Sequence, residues 1–156
     1  ELRAPAARKT LAPGNALTTP LRPYQSAGVN WLWLLSQLGL GACLADDMGL
    51  GKTRLIIALL LVLKKRRCKT PSLLVLPASL LANWKDELDH YGPSLRCLFV
   101  HTSLMSKQEI EDLANVDRAG LAGIDLILTP YGMLLRQSWL QAQDWRLLIL
   151  DEAQAI

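Results

Sequence analysis

The chain has 156 residues, about half of them apolar, which is the size of one ordinary domain with a sizeable core. A net charge of +3 is too small an excess to imply a nucleic-acid partner by itself. Cys43, Cys68 and Cys97 form no C-x-x-C pair, which argues against a zinc site or a disulfide framework and fits a reducing compartment. The longest apolar run, LIIALLLVL, falls far short of the ~20 residues that cross a bilayer, and no secretory leader is visible. Starting at Glu1 and stopping at Ile156, the chain reads as a piece of a longer protein.

Residues 1–20 (ELRAPAARKTLAPGNALTTP) are rich in Ala, Pro and Thr without apolar periodicity, and predict a linker or disordered lead-in. Tyr24 to Leu38 reads as a helix, with Val29, Leu32 and Leu35 on one face and Gly39 as its stop. GACLAD is a short apolar strand that runs into a glycine loop, and a helix follows from Lys52 to about Arg67. The alternation continues. SLLVLP, LRCLFV, DLILT and LLILDE read as strands; Leu80–Tyr91, Lys107–Ala114 and Tyr131 to about Leu140 read as helices. Near-continuous apolar strands mark a parallel sheet covered on both faces, so the fold class is an open α/β sheet.

Within LADDMGLGKT the general phosphate-loop pattern places its first glycine where this chain has Asp46. The rest of the pattern is intact. Gly49 and Gly51 let the backbone of Asp47, Met48, Gly49, Leu50 and Gly51 curl so that successive N–H groups face a phosphate at a helix start. Lys52 would reach the β- and γ-phosphates, and the Thr53 hydroxyl would ligate magnesium. The plainer alternative is a glycine turn capping an ordinary helix. In LLILDEAQ, Asp151 and Glu152 stand at the C-terminal end of a buried strand, the edge where open α/β sheets bind ligands. Asp151 would hold magnesium through water, and Glu152 would orient and deprotonate the attacking water. An acidic pair alone is usually a solvated strand end. Paired with the glycine loop it reads as a Walker B site.

LRPYQSAGVNWL, LADDMGLGKT, LLVLPASLLANWKDEL, DLILTPYGMLL and LLILDEAQAI occur in the order found in Swi/Snf-type ATPases, and from about Leu21 onward the chain resembles that branch of the superfamily 2 helicases. That family commonly writes acidic residues where the general loop has its first glycine, so Asp46 is ordinary there. The resemblance implies that residues 21–156 are the N-terminal part of a RecA-like P-loop NTPase lobe, truncated after Walker B. Gln25 then matches the glutamine that reads adenine, since an amide suits its N6 and N7; standing alone, it would be a polar helix-start residue. Ser79 and Asn83 match the block that contacts the DNA backbone, while Trp84 fits packing better than base stacking. Thr129 and Tyr131 match a further DNA-contacting block, in which Pro130 replaces a residue with an N–H and a hydroxyl. Asp-Glu-Ala-Gln, ending in Gln154, points to bacterial or archaeal members.

The implied whole is a DNA-dependent ATPase that uses ATP and Mg2+ to translocate on double-stranded DNA. Its implied partners are that DNA, DNA-bound proteins and a second RecA-like lobe of the same chain, with no membrane. Its implied place is the cytoplasm and nucleoid of a prokaryote, or the nucleus if eukaryotic. Without the second lobe's arginine finger, hydrolysis by 1–156 alone should be slower by a factor of about 10³–10⁵. Alternatives are a strand-separating superfamily 2 helicase and a nucleotide-gated interaction module without turnover. KKRRCK (Lys64–Lys69) closes a helix and reads as a solvated end favoured by the helix dipole, not as a DNA site. His90 and His101 read as isolated surface residues. In the sheet order that the resemblance implies, GACLAD lies between strands that come after Walker B. The expectation is therefore that GACLAD lacks neighbours, and that the isolated chain folds poorly, pairs with another chain through open edges, or is ordered only where the rest of the protein is present.

Overall fold

The computed structural model describes residues 13–44, 51–67, 69–116 and 120–155. Among them, four parallel strands form one sheet: β1 (Ser72–Leu76), β2 (Cys97–Phe99), β3 (Leu126–Pro130) and β4 (Leu148–Leu150), in the order β2-β3-β1-β4. β1 and β3 lie side by side at the centre, paired from Ser72↔Leu126 to Leu76↔Pro130, and every residue of both is buried.

Strand side chains point alternately to the two faces, and each face has its own core. Leu74, Leu76, Leu126 and Leu128 pack with Leu55, Leu60 and Leu63 of α2 (Lys52–Lys65) and with Leu81, Trp84 and Leu88 of α3 (Leu81–Tyr91). Leu73, Val75 and Ile127 pack on the other face with Ile110 of α4 (Lys107–Ala114), Met133 of α5 (Tyr131–Arg136) and Leu140 of α6 (Ser138–Ala142). Helix α1 (Pro23–Gln37) packs chiefly on α2, and it buries only a narrow stripe, Gln25, Val29 and Leu32. No described helix is long and apolar enough to cross a membrane.

A polar clip joins three elements below the sheet. Lys64 Nζ at the end of α2 donates to Asp125 Oδ2 (2.7 Å) and to Ser94 O, while Arg96 N donates to the same carboxylate oxygen (2.8 Å). Arg66 stacks over the Trp33 ring at 4.5 Å. The basic run is thus partly consumed in holding α2 to its neighbours, and Lys65, Arg66 and Arg67 remain exposed, as a solvated helix end requires.

Three expectations are revised. First, Gly41–Leu44 of GACLAD is not a strand: Gly41, Ala42 and Cys43 are exposed, and positions 45–50 lie outside the described residues. Among the described residues no strand pairs with this segment, and the outer edge of β4 is left unpaired. Second, Tyr131–Leu140 is two helices. Gln137 is extended (φ −109°, ψ 92°), and Gln141 Nε2 donates to Leu134 O (2.9 Å), satisfying a carbonyl that the break orphans. Third, the described part of the lead-in is anchored. Residues 14–16 form a 3-10 turn, Leu17 is buried, and Thr18 donates through its N–H to Tyr91 O (3.1 Å) and through its hydroxyl to His90 O (2.5 Å).

Candidate functional site

The strands run parallel, so the residues just beyond β1, β3 and β4 emerge along one edge of the sheet. Ser79, Asn83 and Trp84 come after β1, Tyr131 after β3, and Asp151 and Glu152 after β4. This is the edge at which open α/β folds place ligands.

The phosphate-loop residues Asp47, Met48, Gly49 and Leu50 lie outside the described residues. The helix start just beyond them has the expected form. Gly51 is the N-cap of α2 with φ +77°, a conformation that L side chains rarely adopt, and a Cβ there would meet Gln25 Nε2 at 2.7 Å. The backbone conformation calls for glycine, and a side chain there would also displace the Gln25 amide. Lys52 and Thr53 form the first turn of α2, both half-buried, where backbone N–H groups and the helix dipole favour an anion.

Gln25 lies against Gly51 and is 2% exposed. Its Oε1 accepts from Arg22 N (3.0 Å), so the amide caps the start of α1 while its nitrogen faces Gly51. The polar helix-start role and the position beside the nucleotide loop are therefore held by one residue. Arg54, two positions after Lys52, donates to the Tyr91 hydroxyl (3.0 Å) and lies 4.5 Å from that ring, fixing the first turn of α2 to the end of α3. No local pattern signals this contact, because it joins residues in different motifs.

Asp151 is the most densely bonded residue of the edge. Its N–H donates to Val75 O (2.9 Å), continuing the β4–β1 ladder one step beyond the strand. Its Oδ2 accepts from Trp84 Nε1 (2.7 Å), its Oδ1 accepts from Glu152 N (3.1 Å), and its carbonyl accepts from the Tyr131 hydroxyl (2.9 Å). Glu152 has φ +50°, a left-handed conformation costly for a non-glycine residue and characteristic of functional sites. Its carboxylate is bonded by the Gln154 amide. Desolvation, and then the charges of Asp151 and Glu152, push the Tyr131 hydroxyl pKa upward, so it stays a donor across the physiological range.

The DNA-facing residues divide. Ser79 and Asn83 are exposed at the start of α3, and Asn83 makes only a long contact (3.4 Å) with Glu87. Thr129 is corrected. It is fully buried inside β3 and its hydroxyl donates to Val100 O (3.2 Å), which leaves no surface for a direct DNA contact in this arrangement. The Tyr131 hydroxyl is likewise committed to Asp151, leaving only part of its ring at the surface. Trp84 is 4% exposed and packs in the core, as its apolar bulk predicts; its bond to Asp151 has no signal in the sequence.

The donor set fits a magnesium nucleotide. Thr53 and Asp151 are hard oxygen ligands. A carboxylate has about four lone-pair positions, so the two hydrogen bonds on Asp151 leave each oxygen able to accept again. The first turn of α2, opened by the glycine N-cap Gly51, offers the unpaired N–H groups of a helix start, which suit a phosphate. Among the described residues no cluster of three or more His, Cys, Asp or Glu could hold a metal.

Residues 24–156 match the SNF2-related domain. The chain belongs to the SNF2 family. Its sheet and helices match a Sulfolobus solfataricus SWI2/SNF2 ATPase core in complex with dsDNA, with a TM-score of 0.78 and 41% identity over 96% of this chain and 29% of that one. The fold is thus that of the RecA-like lobe of such a core. A Bacillus subtilis relative, YwqA, whose name describes it as a candidate ATP-dependent helicase/translocase, is 42% identical over 87% of this chain and 14% of its own length. The Saccharomyces cerevisiae ATP-dependent helicase FUN30 is 33% identical over 87% of this chain and 12% of its own. The chain therefore spans about a seventh of the length of these curated relatives.

Proposed function

We propose that this SNF2-family chain supplies the ATP-binding part of a DNA-dependent ATPase that translocates on double-stranded DNA. What supports this reading is a Gly51–Lys52–Thr53 helix start with Gln25 against Gly51, together with a sheet edge that carries Asp151, Glu152 and the exposed Ser79 and Asn83. The dsDNA complex of the Sulfolobus core supports the choice of duplex DNA over other polymers.

Lys52 offers a positive charge at the helix start for the terminal phosphates, and Gln25 offers its amide nitrogen to the base. Thr53 and Asp151 would hold magnesium, which would neutralise charge developing on the phosphates. Glu152 holds the attacking water and takes its proton, and Gln154 orients Glu152 by hydrogen bonding. Ser79 and Asn83 bond DNA phosphates, which positions the duplex without reading its sequence.

In the full-length protein, Lys52→Ala should abolish DNA-stimulated ATP hydrolysis, because it removes the positive charge offered to the terminal phosphates. Near-normal turnover in that variant would reject the assignment. Glu152→Gln keeps shape and Asp151 but removes the base, so it should trap ATP with little loss of affinity. A collapse of ATP affinity as large as the loss of turnover would make Glu152 a structural or metal-binding residue instead.

A further inference from the structure

We infer that Trp84 is a positioning residue that transmits DNA occupancy of α3 to the Walker B carboxylate; this rests on the reading of the protein as a DNA-dependent ATPase. Trp84 sits next to Asn83 in α3, so the helix turn that presents an exposed amide to solvent also carries the indole inward. That indole is buried in the core beneath the sheet edge, and its N–H ends 2.7 Å from Asp151 Oδ2. Packing alone does not explain the geometry, because a core tryptophan could donate to any backbone carbonyl, whereas this one donates to the carboxylate expected to face magnesium.

The link is charge-assisted, the stronger class of hydrogen bond. It withdraws electron density from one Asp151 oxygen and fixes the plane of the carboxylate. The same carboxylate clamps the Glu152 N–H while Glu152 is held at φ +50°. A shift or rotation of α3 when Ser79 and Asn83 engage phosphate would therefore move the indole donor and re-aim both acids. Tyr131, bonded to the Asp151 carbonyl from the start of α5, holds the backbone fixed while the side chain responds.

The test uses the full-length protein and measures binding, not turnover alone. The affinity for a non-hydrolysable ATP analogue with Mg2+ is measured with and without saturating double-stranded DNA, at one salt concentration, for the unsubstituted protein, Trp84→Phe and Leu88→Ala. Coupling factors between sites typically run from about 5 to 150. Trp84→Phe keeps the aromatic volume and removes the donor, and should reduce the coupling factor about fivefold or more, towards one. Leu88→Ala loosens the same helix by packing alone and should keep most of the coupling. As a second readout, the Trp84 indole ¹⁵N–H resonance of the unsubstituted protein should move when DNA is added without nucleotide. Coupling retained in Trp84→Phe, equal loss in Leu88→Ala, or an indole signal unmoved by DNA each overturns the inference while leaving the ATPase reading in place. An unsubstituted protein that binds nucleotide and shows no response to DNA overturns the ATPase reading and this inference together.

Discussion

β1 and β4 are adjacent strands of nearly the same composition, Leu-Leu-Val-Leu in one and Leu-Ile-Leu in the other, and they have opposite fates. All five residues of β1 are buried, whereas Leu148 is 59% exposed and Leu150 44% exposed. The difference lies in their neighbours. β1 has β3 on one side, β4 on the other and a helical layer on each face; β4 has β1 alone, and its outer edge is unpaired among the described residues. Apolar side chains make burial favourable, but only flanking chain can provide the cover.

The largest test of this contrast is truncation at matched positions. Leu74→Ala removes a wholly buried side chain and should destabilise the fold by about 2–5 kcal/mol, while Leu148→Ala should cost well under ~1 kcal/mol. Denaturant unfolding of Glu1–Ile156 and its variants, at a dilution where the chain is monomeric, measures both, and equal costs would show that β4 is covered within the monomer.

The two described thiols sharpen the comparison. Cys97 lies in β2 beneath partial cover, and burial, followed by the nearby Asp125 charge, pushes its pKa up to about 12. Cys43 lies in the exposed segment before the phosphate loop. Because the folded pKa of Cys97 is raised, its contribution is fully present below the unfolded value of about 9 and is lost as pH rises towards 12. Stability should thus fall by about 1 kcal/mol per pH unit just above pH 9, and Cys97→Ala should flatten that slope where Cys43→Ala does not. Thermal unfolding across pH 8–10.5 is the measurement.

The smallest effect concerns association. An unpaired strand edge with exposed leucines is a template for another chain. Glu1–Ile156 expressed alone should self-associate, and Leu148→Lys with Leu150→Lys should weaken that association by about tenfold, as sedimentation would show. A strictly monomeric parent chain with one sharp, reversible transition would mean that the edge closes in another way.

Much of this is legible in the residues. The buried strands declare themselves by unbroken apolar runs; the reciprocal bonds of Ser106 and Glu109, a capping box at the start of α4, are a finding of the structure. Lys52, Thr53, Asp151 and Glu152 can be picked out because their spacing relative to glycine and to strand ends is local. The illegible part is long-range. Nothing in DLILTPY says that Thr129 turns inward to Val100, or that Tyr131 spends its hydroxyl on Asp151. GACLAD has a strand's composition without a ladder to join, and Trp84 reads as core bulk until the position of Asp151 is known.

The Asp125 clip bears on how fast the molecule comes apart. Its bonds to Lys64 and Arg96 span 61 and 29 positions of chain, so neither can form until the strands between them are aligned. Loop-closure entropy leads one to expect such contacts late on the folding route, after the buried leucines have gathered. Interactions absent from the transition state slow unfolding without slowing folding. The carboxylate beneath β3 thus acts as a brake on opening, setting the lifetime of the folded lobe more than the rate at which it is reached.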